Sequence, residues 1–273
     1  MNFKLMLRLF GLLLMVEGIG MFLSTIIAFI SNGDDLMALA VSSLICILPG
    51  FLVFRLTAGY KSHLPRREGF FAVVVGWLII SVMGALPFVL SGYIPRFTDA
   101  FFETMSGFTT TGASIVENIE VFPRGLLFWR ALTQWLGGVG MIVLAISFLP
   151  GVGIGGMHLF DAESPGISVD KVSPRIYQTA RRIWGVYLFF TLLEMVLLMA
   201  GGMTWFDSIC HSFTTMATGG FSTKQASIAA FQSPYIEYVT TLFMIIAGSN
   251  FSHLFFTMMG KPSLLLKDKE HRH

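Results

Sequence analysis

Charge is the first thing this sequence lacks. Asp, Glu, Lys and Arg make up 12% of its 273 residues, against about 25% in an average soluble domain. With 54% hydrophobic residues and a mean hydropathy of +0.73, that scarcity excludes an ordinary water-facing surface and places the chain in a bilayer. Cysteine is nearly absent as well. Cys46 and Cys210 each sit in an apolar run, which argues against a disulfide framework or a Cys-rich metal site and leaves them as small packing residues. Paired carboxylates and ligand clusters are missing, so no catalytic constellation is expected. Ser106 in "ETMSGF" has no histidine whose position would activate it. The run "GVGIGG" at 151–156 follows an apolar span instead of a strand; it lacks the βαβ context of a dinucleotide fingerprint and reads as a flexible helix exit. No nucleic-acid partner is expected.

Long apolar runs are what the chain has. A helix needs roughly 20 apolar residues to cross the hydrocarbon core, and six stretches qualify, at about 5–30, 36–57, 69–91, 125–149, 183–202 and 236–259. The first has a basic start, but it is longer than the apolar core of a signal peptide, about 7–15 residues, and reads as a retained helix. Two further stretches, 98–108 and 206–216, are too short to cross and read as re-entrant half-helices. Fourteen Lys and Arg fall on one side of this layout, against Arg96, Arg124 and Lys224 on the other and Arg130 inside a span. The positive-inside rule puts the fourteen, and the N-terminus, in the cytoplasm.

The two short stretches belong to a repeat. "DAFFETMSGFTTTGAS" aligns without a gap on "DSICHSFTTMATGGFS", so Asp99 falls on Asp207, Thr110 on Thr218, Gly112 on Gly220 and Ser114 on Ser222, each pair 108 residues apart. The order is two leading helices, then helix, half-helix, loop and helix, twice, with both copies in the same orientation. We expect an all-α membrane protein with boundaries at 1–63 (two-helix region), 64–160 (first repeat) and 161–273 (second repeat). The segment 150–182 is the main cytoplasmic connector, and its basic part, Lys171–Arg182, reads either as a docking surface or as a membrane-edge anchor.

Irregular backbone at membrane depth is tolerated only inside protein or around water, and rings of carbonyls there can replace an ion's hydration shell. Small hydroxyl residues brace such a loop, and glycine allows the positive φ that turns successive carbonyls the same way. A half-helix entering from outside directs its negative pole inward, which favours a cation. Either loop alone reads as well as a tight turn between helices. Recurrence in register, each time with the upstream Asp, favours the ion reading. Of the ionisable residues within spans, Arg130 is expected to brace a half-helix through Glu103, and Glu17 to be structural; Glu194 points to function by default. Asn250 and His253 suggest hydrogen bonding between helices.

The runs "RREGF", "GALPF", "TDAFFETMSGFTTTGA", "QWLGGVGMIVLA", "SPRIYQTAR", "HSFTTMATGGFST" and "AGSNFSHLF" resemble the TrkH/TrkG/KtrB superfamily of potassium-translocating subunits, most closely its TrkH branch. The resemblance implies potassium uptake through four helix–pore–helix repeats around one pore. It assigns the filter glycines of the first two repeats to Gly112 and Gly220, with Thr110, Thr111, Ala113, Thr218, Gly219 and Phe221 flanking them. It implies K⁺ as the transported ion, residence in the inner membrane, and a cytoplasmic nucleotide-binding regulatory partner of the TrkA kind. The sequence stops at His273, after the second repeat. A truncated or split subunit awaiting a complementary C-terminal half is the preferred expectation; pairing of two copies as a homodimer is the other. A non-conducting scaffold is the rival function.

Overall fold

The computed structural model of the chain describes residues 3–58, 66–148, 172–249 and 254. All regular structure among the described residues is helical. The first two helices, α1 (Phe3–Ile30) and α2 (Leu36–Leu56), form an antiparallel hairpin. Its turn uses Asn32 at φ 50° and a Gly33 N–H donated back to the Ala28 carbonyl at 2.9 Å, a wrap that satisfies the helix end. The two helices touch through small residues. A Cβ on Gly11 would come within 2.9 Å of the Gly50 carbonyl, and one on Gly50 within 2.8 Å of the Gly11 carbonyl. Ser43 Oγ donates to the Gly18 carbonyl at 2.9 Å. In lipid no hydrophobic force presses helices together, so close backbone approach and such hydrogen bonds carry the association.

The apolar run at 69–91 is interrupted: α3 (Arg66–Gly84) ends where α4 (Leu86–Ser91) begins. Pro87 has no N–H to continue the ladder and its ring crowds the preceding turn. Phe88 N–H bonds back to Ala85 instead, and the Gly84 carbonyl accepts the Trp129 indole N–H at 3.0 Å. The helix α4 then stops at Gly92, φ 79°. Two helices of 12 residues follow the expected positions, α5 (Phe97–Phe108) and α8 (Trp205–Met216). Between them lie α6 (Arg124–Phe148) and α7 (Val172–Ala200); α9 (Pro234–Gly248) closes the described order. The helix α7 starts at Val172, so the last part of the expected connector is helical. Helices at Phe3–Ile30, Leu36–Leu56, Phe71–Ser91 and Ile183–Ala200 are long and apolar enough to cross a membrane, and α6 runs for 25 residues. The rest of the span expected at 236–259, with Asn250 and His253, and the "GVGIGG" run lie outside the described residues.

Two buried clusters organise the packing. One joins α1, α2, α5 and α6 through Met21, Leu39, Phe108 and Trp129; the other joins α7, α8 and α9 through Tyr187, Leu198, Met216 and Phe243. The leading hairpin is also pinned to α6 by a polar contact. Asp35, fully buried at the start of α2, accepts the Leu126 N–H through Oδ2 at 2.7 Å. A carboxylate there caps the positive end of α6, although burial raises its pKa above the ordinary aspartate value, opposed by the Leu126 N–H. Asp35→Ala is therefore expected to cost about 2 kcal/mol, from the lost charge-assisted bond and an unsatisfied buried donor. The measurement is thermal unfolding in detergent, with Asp34→Ala, an exposed neighbour, as the control.

Candidate functional site

The segments after α5 and α8 repeat each other in backbone geometry as well as in sequence. Thr110 and Thr218 sit at φ 56° and 55°, and Gly112 and Gly220 at 76° and 79°. Both threonines occupy a left-handed region that β-branched residues avoid. Each helix closes in the same way: Thr110 N–H donates to Gly107 and Thr111 N–H to Ser106, each at 2.9 Å, while Thr218 N–H donates to Thr215 at 2.8 Å and Gly219 N–H to Thr214 at 2.9 Å. Beyond these bonds the chain is neither helix nor strand. Among the described residues, no hydrogen bond reaches the carbonyls of Thr110, Thr111, Gly112 and Ala113, or those of Thr218, Gly219, Gly220 and Phe221. Such oxygens need water, an ion or another chain to satisfy them.

Each loop is held by one side chain of its half-helix. Glu103 accepts Ser114 Oγ at 3.0 Å and the Ile115 N–H at 2.9 Å. At the equivalent place in the second copy, His211 Nε2 meets Ser222 Oγ at 3.0 Å. Each serine oxygen then accepts the N–H two residues on, from Val116 at 3.1 Å and Lys224 at 3.0 Å. The upstream aspartates diverge. Asp207 takes the Thr223 hydroxyl at 2.6 Å and the cap hydroxyl of Thr204 at 2.7 Å, both inside the second copy. Asp99 has neither partner, because Arg96 stands at the cap position of α5 and Ile115 at the place of Thr223.

The loops lie side by side. A Cβ on Gly112 would run into the Gly219 carbonyl oxygen. Farther out, the Ile119 N–H donates to Gln225 Oε1 at 3.1 Å. Both loops rest on one face of α6. Arg130 donates through Nε to Glu103 Oε1 at 2.5 Å and through Nη1 to the Ser222 carbonyl at 3.1 Å, with its guanidinium 3.6 Å from the centre of the Phe221 ring. Gln134 Oε1 accepts the Phe221 N–H at 3.0 Å. Thr133 Oγ1 and the Phe108 carbonyl occupy the space that Cβ atoms on Gly107 and Gly137 would need, and Ala217 lies 3.0 Å from one on Gly138.

The sequence reading thus placed Arg130 on Glu103 and missed Gln134. Its signal was present: positions 130, 133, 134, 137 and 138 are polar or glycine at the spacing of one helical face, within an otherwise apolar stretch. Glu17 is buried on α1, where Oε1 would lie 2.9 Å from a Cβ on Gly84; its carboxylate has no partner among the described residues. Glu194 is buried on α7. Asp34, Glu117 and Glu120 are exposed. Cys46 and Cys210 are buried and free, and no group of three or more His, Cys, Asp or Glu residues able to hold a metal occurs among the described residues.

Membrane-length helices joined to two equivalent half-helix and loop units define an all-α protein of membrane type. The family of cation transport proteins called TrkH matches residues 36–271, and the chain belongs to that family. It is 39% identical over 277 residues to the Trk system potassium uptake protein TrkH of Salmonella typhimurium, covering 100% of this chain and 57% of that protein. TrkG of Escherichia coli K12, another Trk system potassium uptake protein, is 32% identical, over 96% of this chain and 55% of its own length. The crystal structure of the potassium transporter TrkH from Vibrio parahaemolyticus superposes with a TM-score of 0.87 at 35% identity, covering 100% of this chain and 56% of that one. The chain spans about half the length of the curated relatives it matches.

Proposed function

We propose that the chain takes part in potassium uptake across the cytoplasmic membrane, and that loops 109–114 and 217–222 supply backbone oxygens that replace the hydration shell of K⁺. The observation that carries this reading is the duplicated loop: the same positive-φ positions 108 residues apart, with the carbonyls of Thr110–Ala113 and Thr218–Phe221 left without partners among the described residues. Side chains are not asked to react. The membrane potential contributes about 2.3 kcal/mol per charge per 100 mV to inward cation movement. The units at 64–160 and 161–273 act as two parallel quadrants beside the leading region 1–63, with the N-terminus cytoplasmic and the loops open to the outside. The remaining quadrants come from a complementary C-terminal half or from a second copy. Regulation through a TrkA-like nucleotide-binding subunit acts on the cytoplasmic face. Similarity to the Trk potassium uptake proteins supports K⁺ as the cargo.

Expression in cells lacking potassium uptake tests this. Growth at low potassium is expected to be restored by this chain, alone or with a complementary half, and to be lost with Gly112→Ser. Absence of rescue in both settings, with the protein present in the membrane, would support a scaffold.

A further inference from the structure

The face of α6 beneath the loops does more than fill space. One guanidinium, that of Arg130, reaches the first loop through Glu103 and the second through the Ser222 carbonyl, and covers the Phe221 ring between them. One turn on, Gln134 braces the second loop with a neutral group at the place where that loop abuts the first. Its Oε1 holds the Phe221 N–H, while Nε2 is buried without a partner among the described residues and lies 3.9 Å from where a Gly112 Cβ would be. Gln134 is itself fully buried, and the space beside Gly219 is taken up by its amide. Arg130 thus links the two copies, and Gln134 backs the second loop where it meets Gly112.

We propose that Arg130 and Gln134 are positioning residues that fix the separation of the two loops, and that they thereby set the preference for K⁺ over Na⁺. The inference rests on the loops being a cation filter. Carbonyl oxygens discriminate between cations through their number and spacing. A support that cannot yield keeps them from closing on the smaller ion, whereas a softer one lets them follow it. Arg130 suits this role because its planar fork binds two acceptors in fixed directions, which the single ammonium of lysine does not. Gln134 suits it because its amide offers an acceptor and a donor about 2 Å apart on one stiff plane.

The test measures cation binding, so it does not depend on transport. The purified full chain in detergent is titrated with K⁺, Na⁺ and choline while its unfolding midpoint is followed. The wild type is expected to be stabilised by K⁺ at concentrations at least tenfold below those needed for Na⁺, with no response to choline. Arg130→Lys and Gln134→Met are each expected to reduce the K⁺/Na⁺ ratio at least fivefold, chiefly by strengthening the response to Na⁺. Gln134→Met nearly conserves volume and leaves the Arg130–Glu103 pair in place, so it reports even if Arg130→Lys folds poorly. A ratio unchanged in folded Gln134→Met protein would overturn the proposal while leaving the filter reading intact. A wild type that does not distinguish K⁺ from choline, either alone or with a complementary half, would overturn both.

Discussion

Gly112→Ala is expected to lower stability by about 3–4 kcal/mol, whereas Gly220→Ala costs about 1–2 kcal/mol, although the two glycines are equivalents in the repeat. Both have positive φ, 76° and 79°, so both substitutions pay the left-handed penalty. Only the first also meets a collision. A methyl group on Gly112 would strike the Gly219 carbonyl oxygen, which is backbone and cannot rotate away; one on Gly220 has nothing within 4 Å. The methyl at 112 must push the loops apart, against the support of Arg130 and Gln134. Unfolding midpoints of the two variants provide the check, and equal losses would show that the loops are not packed against each other. Uptake should follow the same order, with Gly112→Ala inactive and Gly220→Ala partly active.

That asymmetry was invisible in the sequence, where the two glycines look alike. What the residues did reveal was local. Hydropathy located the four described helices long and apolar enough to cross a membrane, and the shortness of 98–108 and 206–216 predicted the 12-residue α5 and α8 almost to their ends. The repeat made Thr110 and Thr218 equivalents before their dihedrals were known. The break at Pro87 was legible in principle, since proline stops the backbone ladder, but the apolar run around it gave no sign of interruption. Helical spacing also contained the Arg130–Gly138 face. It went unread because a glutamine and a threonine among leucines resemble ordinary interhelical glue until the loops they hold are in view. Contacts between the copies, such as Gly112 on Gly219, depend on how the loops meet in space, and no periodicity within one segment encodes that.

The largest effect is expected at Arg130. Glu103 is buried to 1% side-chain exposure and Arg130 to 3%, so Arg130→Met leaves a carboxylate with no other ion-pair partner among the described residues and removes the donor to the Ser222 carbonyl. Breaking a buried pair in this way costs about 3–5 kcal/mol. Glu103→Gln should cost less, about 2–3 kcal/mol, because the amide oxygen can still accept one of the three donors that Glu103 now receives. Combining Glu103→Gln with Arg130→Met removes both charges, and the double variant is expected to be more stable than Arg130→Met alone. The second copy supplies an internal comparison. His211 fills the Glu103 position without a cationic partner among the described residues; its hydrogen bonds are to the Ser222 hydroxyl and the Asp207 carbonyl, and its ring meets Phe231 edge-on. His211→Gln is therefore expected to cost about 1 kcal/mol, since neutral hydrogen bonds are weaker than charge-assisted ones. If Arg130→Met were as mild as His211→Gln, the guanidinium would not be the element that joins the two loops. In that event their spacing would be set by the packing of Gly137 on the Phe108 carbonyl and of Gly138 on Ala217.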